Sequence, residues 1–343
     1  MLGEDALRTV GGAMVLGIRG ARAGDASLEA DLEACARIGA SGVILFDRDV
    51  HAGGARNVRD AAQLRDLYAY VRERLGERAL VCVDQEGGRV RRLGPVHGFA
   101  DHPGAAEVAG LPGAAQRACA GALAEELASV GIGVNFAPCV DVALVPDGAV
   151  IGALGRSYGD NAERVIASAE RFIDAHDARG VRCVLKHFPG HGSASLDSHH
   201  ALCDITATWA RGTELAPYRS LMERCGAVMT GHLLLRSIDP ELPASLSHRI
   251  TTGLLREELG FGGVVVTDSI DMEGVRARWG LEETIARALG AGADLVVHAC
   301  NSVRGEYAPD VEAAVRRVAG DERVVRLACA ARERVDRWIS ARA

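Results

Sequence analysis

The sequence predicts an α/β fold, a single (β/α)8 barrel of the TIM type spanning residues 1–343. Two observations carry this. Eight short apolar, β-prone runs recur along the chain, with starts roughly 30 to 55 residues apart. Most gaps between them hold Ala/Arg/Glu/Leu-rich segments with helical spacing. Near-continuous apolar strands that alternate with helices argue for a parallel sheet covered on both faces. Eight such units are the number a closed barrel needs. An open doubly wound sheet is the alternative, but it more often brings a GxGxxG turn after its first strand, and none occurs.

The runs are 13–18, 42–46, 79–83, 133–137, 182–186, 227–230, 263–267 and 293–298. Helical spacing marks 61–75, 114–130, 162–179 and 281–290. After the third run, 92–113 is rich in Gly, Pro and His and reads as a long loop, a length that often serves function. The last segment, 310–343, is Ala/Arg/Val-rich with helical period and is expected to close the cover of the barrel. No linker, low-complexity tract or second domain is visible.

Hydrophobic residues make up 48% of the chain and charged residues 25%, enough apolar material for a large core. The net charge is −7, from 39 basic and 46 acidic residues. Without a basic block, nucleic acid and anionic membrane surfaces are poor partners. Nine cysteines occur: Cys35, Cys82, Cys119, Cys139, Cys183, Cys203, Cys225, Cys300 and Cys329. Their number is odd, no CxxC is present, and several sit in apolar runs. Buried thiols in a reducing cytoplasm are expected, rather than a disulfide framework or a zinc site. The acidic start, Met1-Leu2-Gly3-Glu4-Asp5, lacks the basic and apolar regions of a signal peptide. No apolar run approaches the roughly 20 residues of a membrane span. A cytoplasmic location is expected.

A barrel places its chemistry just after the C-terminal ends of its strands. Five predicted strands end in charged groups there. The third ends in Asp84-Gln85-Glu86-Gly87-Gly88-Arg89-Val90-Arg91-Arg92, and the fourth in Pro138-Cys139-Val140-Asp141. The fifth ends in Lys186-His187, the sixth in Thr230-Gly231-His232, and the seventh in Thr267-Asp268-Ser269. Any one of these is equally a strand cap or a satisfied structural residue. Five together are costly unless the charges pair or meet a ligand. Beyond the fifth strand, Asp197-Ser198-His199 offers an imidazole with a nearby carboxylate to orient it. Taken alone, that pair reads equally as a solvated polar turn.

These segments resemble family 3 of the glycoside hydrolases, in particular its bacterial β-N-acetylglucosaminidase branch. Residues 186–192, Lys-His-Phe-Pro-Gly-His-Gly, match its KHFPGHG signature residue for residue. Asp84-Gln85-Glu86-Gly87-Gly88-Arg89-Val90 is similar to DxEGGRV, and Arg156-Ser157-Tyr158-Gly159 to RSFG or RSYG. Gly263-Val264-Val265-Val266-Thr267-Asp268 matches the stretch that holds the family's nucleophile. The resemblance covers nearly the whole chain.

The resemblance implies retaining hydrolysis through a covalent glycosyl-enzyme, with Asp268 as nucleophile. A helix N-cap is the other reading of Asp268, and Asp271 is its competitor in the same loop. His199 is implied as acid/base, held by Asp197, with His200 as an adjacent competitor. Residues i and i+2 of extended backbone project to one side, so the two side chains can meet. Asp84, Arg92, Arg156, Lys186 and His187 are implied to line the subsite of the terminal sugar, where planar donors and carboxylates grip hydroxyls in pairs. A structural ion pair is the other reading of Asp84 and Lys186. Asp141 is expected to partner Lys186 or Arg156. Glu86, Arg89 and His191 are expected to fix loops, and His232 has no assigned role.

The implied substrate is a small GlcNAc-terminated glycan, specifically GlcNAc–anhydroMurNAc muropeptides of cell-wall turnover, with no cofactor and no metal. The chain departs from the common pattern at Ser193-Ala194, where relatives often carry Asp-Thr, and at Ser269-Ile270-Asp271-Met272, where many carry Asp-Leu-Ser-Met. A β-glucosidase or a GlcNAc phosphorylase on the same scaffold stays open. So do two more distant readings: a metal-dependent hydrolase built on His187, His191, His199 and His200, and a sugar-binding barrel without catalysis.

Overall fold

The computed structural model describes residues 3–145, 150–194, 202–302 and 304–341. Its strands are β1 Met14–Gly17, β2 Gly42–Ile44, β3 Leu80–Val83, β4 Val134–Asn135, β5 Arg182–Cys183, β6 Leu185–Phe188, β7 Cys203–Asp204, β8 Ala227–Thr230, β9 Leu233–Leu234, β10 Val264–Thr267 and β11 Val296–His298. All eight predicted runs contain strand. The fifth is split into β5 and β6, and the register is irregular between Leu185 and Phe188.

The architecture is α/β with parallel sheets. A six-stranded sheet has the order β11-β1-β2-β3-β4-β5, and a three-stranded sheet the order β10-β8-β6. Every pairing within these two sheets is parallel. Isolated parallel bridges, Cys139 to Lys186 and Val266 to Leu295, connect the flanks of the two sheets. A short parallel pair, β7 with β9, stands apart.

The continuous apolar runs have a simple cause: strand residues alternate between two cores. Val15, Ile44, Leu80, Cys82, Val134, Val264, Val266 and Val297 join one cluster. Their neighbours Met14, Leu16, Val43, Val81, Val83, Val265 and Val296 join the larger cluster, shared with the helices. With both faces covered, period-two patterning disappears and every position must be apolar.

Helices cover the strands. Ala61–Leu75, Gly113–Ser129, Ala162–Asp177 and Leu281–Ala291 lie where spacing predicts them. Asp60 and Asn161 cap two of these, accepting from the backbone N–H groups of Gln63 and Arg164 at 2.9 Å each. The expected closing segment is two helices, Ala308–Val318 and Glu322–Ser340. The expected loop at 92–113 is more ordered than its composition suggests. It contains a 3-10 turn, Pro95–His97, and a short helix, Ala105–Ala109, and its final residue opens the next helix. Helices Glu4–Gly11, Ala26–Ile38 and Ala216–Cys225 and a π-helix, Arg249–Glu258, complete the main cover. No helix among the described residues is long and apolar enough to cross a membrane.

Candidate active site

The polar strand ends converge on one side of the sheets. Beyond β3, the side chain of Gln85 turns the chain back on itself. Its Oε1 accepts from the N–H groups of Arg92 (2.7 Å) and Leu93 (3.0 Å), while its Nε2 donates to the carbonyl of Leu93 at 2.8 Å. Asn135 of β4 holds Gln85 in turn, accepting from its N–H and donating to its carbonyl. This brings Arg92 within 3.4 Å of Asp84.

Lys186 of β6 is buried between two carboxylates, 2.8 Å from Asp84 and 2.8 Å from Glu86. Arg156 grips Glu86 with two donors, Nε at 2.9 Å and Nη2 at 2.7 Å. Burial alone would raise both carboxyl pKa values. Lys186 with Arg92 outweighs this at Asp84, and Arg156 with Lys186 outweighs it at Glu86, so both lie below the ordinary range. The two carboxylates likewise overcome burial at Lys186 and hold its pKa up. The cluster is fully ionised at neutral pH. Asp84 and Lys186 are thus an ion pair, and both also line a cavity. Glu86, expected to fix its loop, is instead the hub between Lys186 and Arg156. The Asp-x-Glu spacing could have revealed it, because positions 84 and 86 share one side of extended backbone.

Asp141 corrects another expectation. Its partner is neither Lys186 nor Arg156 but His187, whose Nδ1 lies 2.7 Å from Oδ2. Oδ1 accepts from the N–H groups of His187 (3.1 Å) and His191 (2.8 Å), and the Cys139 thiol donates to Oδ2. Burial opposes ionisation of Asp141, but His187 and these donors push its pKa below the usual range. An ionised Asp141 places the His187 proton on Nδ1. Nη2 of Arg156, which only donates, lies 3.4 Å from Nε2 of the same ring. Burial and the neighbouring His187 lower the His191 pKa to about 4, so its ring is neutral. Donor atoms of Cys139, Asp141 and His187 all lie within 4.8 Å of one another. The protons between them already satisfy Asp141, so the trio reads as an orienting network.

The chain after β6 is packed closely. At Gly192 a Cβ would lie 1.7 Å from the carbonyl oxygen of Val142, which only glycine permits. Glu214 is buried beneath this stretch. It accepts from Ser193 Oγ (2.9 Å), Ser193 N–H (3.2 Å) and Ala210 N–H (3.0 Å). Burial nevertheless raises its pKa to about 7. Asp197 and His199 lie outside the described residues.

Asp268 follows β10 directly, and its N–H donates to the carbonyl of Thr230 at 2.8 Å. Its Oδ1 accepts from the N–H of Ser269 at 2.7 Å. Ser269 Oγ donates to Asp271 Oδ1 and accepts from the N–H of Ala299. Asp271 Oδ2 accepts from the N–H of Asn301 at 3.1 Å. Asp271, the competitor for the nucleophile position, is therefore a buried turn-forming carboxylate.

Two adjoining cavities meet at Asp84, Arg92 and Asp268. The smaller, ≈ 250 Å³, is also lined by Arg156, Lys186, His187 and His191. The larger, ≈ 580 Å³, extends over Phe46, Met229 and Met272 to a rim with Arg48, Arg89 and Asn301. All six predicted site residues within the described chain thus line one continuous space.

Comparison with known proteins identifies the family. Residues 28–328 match the model of the glycosyl hydrolase family 3 N-terminal domain. The chain belongs to glycosyl hydrolase family 3. It is a glycoside hydrolase. The β-hexosaminidase of Pseudomonas aeruginosa is 36% identical over 245 residues, covering 70% of this chain and 72% of that protein. The β-N-acetylhexosaminidase of Beutenbergia cavernae superposes with a TM-score of 0.82 at 32% identity, covering 99% of each chain. A family 3 β-N-acetylglucosaminidase from Paenibacillus superposes with a TM-score of 0.81 at 33% identity. The match covers 98% of this chain but 62% of that enzyme, which is longer.

Proposed function

We propose that this family 3 hydrolase is a retaining exo-β-N-acetylglucosaminidase, a single (β/α)8 barrel over residues 1–343 that closes through the two isolated bridges. One observation carries the reading: Asp268 shares a cavity with Asp84, Lys186 and Arg156, ionised groups that Glu86 ties together from behind. That wall suits hydroxyl recognition, since it offers paired donors and acceptors already fixed in place. Asp84 and Lys186 bind ring hydroxyls, with Arg92, Arg156 and His187 completing the subsite.

The carboxylate of Asp268 attacks the anomeric carbon while the glycosidic C–O bond breaks. His199, oriented by Asp197, gives its proton to the leaving oxygen. Water then attacks the covalent intermediate, His199 takes the water proton, and Asp268 is released. Two inversions leave the configuration retained.

The leaving sugar occupies the larger cavity. Arg48 and Arg89, both exposed, line it beside Asp47 and Glu273, and the two guanidinium groups offer partners for an acidic aglycone such as an anhydroMurNAc muropeptide. No disulfide joins the nine cysteines, which suits the reducing cytoplasm where such fragments are recycled.

Release of 4-nitrophenol from the β-GlcNAc and β-glucoside conjugates, side by side, with chelator and without phosphate, tests the activity. Strong preference for the GlcNAc compound is expected, and preference for the glucoside would move the enzyme to another branch of the family. Replacing His199 by Ala is expected to slow substrates with poor leaving groups most. Equal losses on good and poor leaving groups would refute the acid/base role.

A further inference from the structure

We propose that His232 is a positioning residue for Asp268: its imidazole clamps the carbonyl of Ser269 and so fixes the turn that aims the Asp268 carboxylate into the cavity. The inference rests on the reading of Asp268 as nucleophile. His232 follows β8 in a neighbouring loop and is buried. It lines neither cavity, so it acts through the turn and not on the sugar.

The hydrogen bonds dictate its protonation pattern. Nε2 lies 2.8 Å from the carbonyl oxygen of Ser269. A carbonyl only accepts, so Nε2 carries the proton. Nδ1 is then an acceptor, and Ser245 Oγ donates to it at 2.7 Å. Ser245 lies in the short 3-10 turn Ala244–Leu246, and its N–H is bonded to the carbonyl of Gly231, next to His232. The loop that carries His232 therefore also fixes its tautomer.

Ser269 is held at three atoms from two sides. His232 holds its carbonyl from the β8 side. Ala299 holds its hydroxyl from the β11 side, and Asp271 holds the same hydroxyl from within the turn. Its N–H is thereby fixed toward Asp268 Oδ1 at 2.7 Å. If the carbonyl is released, the N–H that orients the carboxylate can drift. A misplacement of about 1 Å at a reacting atom costs on the order of 100-fold in rate.

The test compares H232L, H232Q and S245A with D268N on 4-nitrophenyl β-GlcNAc and on an alkyl β-GlcNAc with a poor leaving group. Leucine removes both hydrogen bonds, whereas glutamine can donate with Nε2 and accept with Oε1. H232L is expected to lower kcat by on the order of 100-fold on both substrates alike, with KM little changed. H232Q is expected to recover most of the loss, and S245A to fall between H232Q and H232L. A purely structural role would not yield an equal kcat loss with KM preserved and recovery by glutamine. If H232L does not fold, the kcat values of H232Q and S245A against the wild type decide. S245A with wild-type kcat would overturn the clamp. Full kcat in H232L beside an inactive D268N would overturn the clamp alone. Turnover by D268N would remove the nucleophile reading and the clamp with it.

Discussion

Glu214 shows how far a single buried acid departs from its paired counterparts. Glu86 and Asp141 meet cations or several donors, and their carboxyl pKa values fall. Such groups add stability above the unfolded carboxylate range of about 4, and that stability is lost as pH drops through their depressed native values. Among the described residues Glu214 meets a hydroxyl and two backbone N–H groups, and its pKa rises from 4.5 to about 7. The sign is therefore reversed. Between pH 4.5 and 7 the native state binds more protons than the unfolded state, so stability falls as pH rises through that window. E214Q removes this titration. Its melting temperature is expected to vary less than that of the wild type across the window, as measured by thermal denaturation at stepped pH. Parallel curves for the two proteins would contradict the assignment. Ser193 matters here as well: a carboxylate at that position would face Glu214 and raise its pKa further.

Among elements, the helix Ala162–Asp177 depends on a local device. Asn161 accepts from the N–H of Arg164, one of the otherwise unpaired donors of the first turn. Asn161→Ala is expected to cost about 1 kcal/mol in urea unfolding and to leave kcat/KM unchanged, because the cap contacts neither cavity. Elements of this kind were legible in the sequence. The strands were legible because Val, Ile and Leu at every position of runs such as 264–266 leave few alternatives. The pairing of Asp141 was not. Spacing cannot tell which of three nearby side chains, Arg156, Lys186 or His187, a carboxylate meets when the contact spans the 46 positions between Asp141 and His187. The helix Ala105–Ala109 was hidden for another reason: glycines at 104 and 110 and the prolines at 103 and 112 outweigh four good helix formers and a valine in any composition window. The π-helix Arg249–Glu258 carries an ordinary amphipathic pattern, so periodicity alone does not separate it from an α-helix.

At the scale of the whole molecule, stability and chemistry sit at opposite ends of the strands. Asp294 precedes β11, far along the strand from the Cys300 end. It accepts from Arg256 Nη2 (2.7 Å), Arg334 Nε (2.6 Å) and the N–H of Val265 (2.8 Å). It thereby ties the π-helix, the last helix and β10 together. Val335 and Trp338 of that last helix close the smaller apolar cluster from the same end. Asp294→Ala is expected to destabilise by on the order of 3 kcal/mol, because it strips two partly buried guanidinium groups of their partner. KM and kcat are expected to hold near wild type in kinetic assays below the melting range. A loss of activity without loss of stability would contradict this division.

The cysteine distribution carries a practical consequence. Seven of the nine thiols are buried, and only Cys119 and Cys329 are partly exposed. Both lie on cover helices, and neither lines the two cavities that meet at Asp268. A maleimide dye added to the native enzyme should therefore find two attachment points and spare the chemistry. Those points give a ready site for surface immobilisation or fluorescence tracking. The other seven become countable as the chain opens, so the label stoichiometry itself reports how much of the protein has come apart.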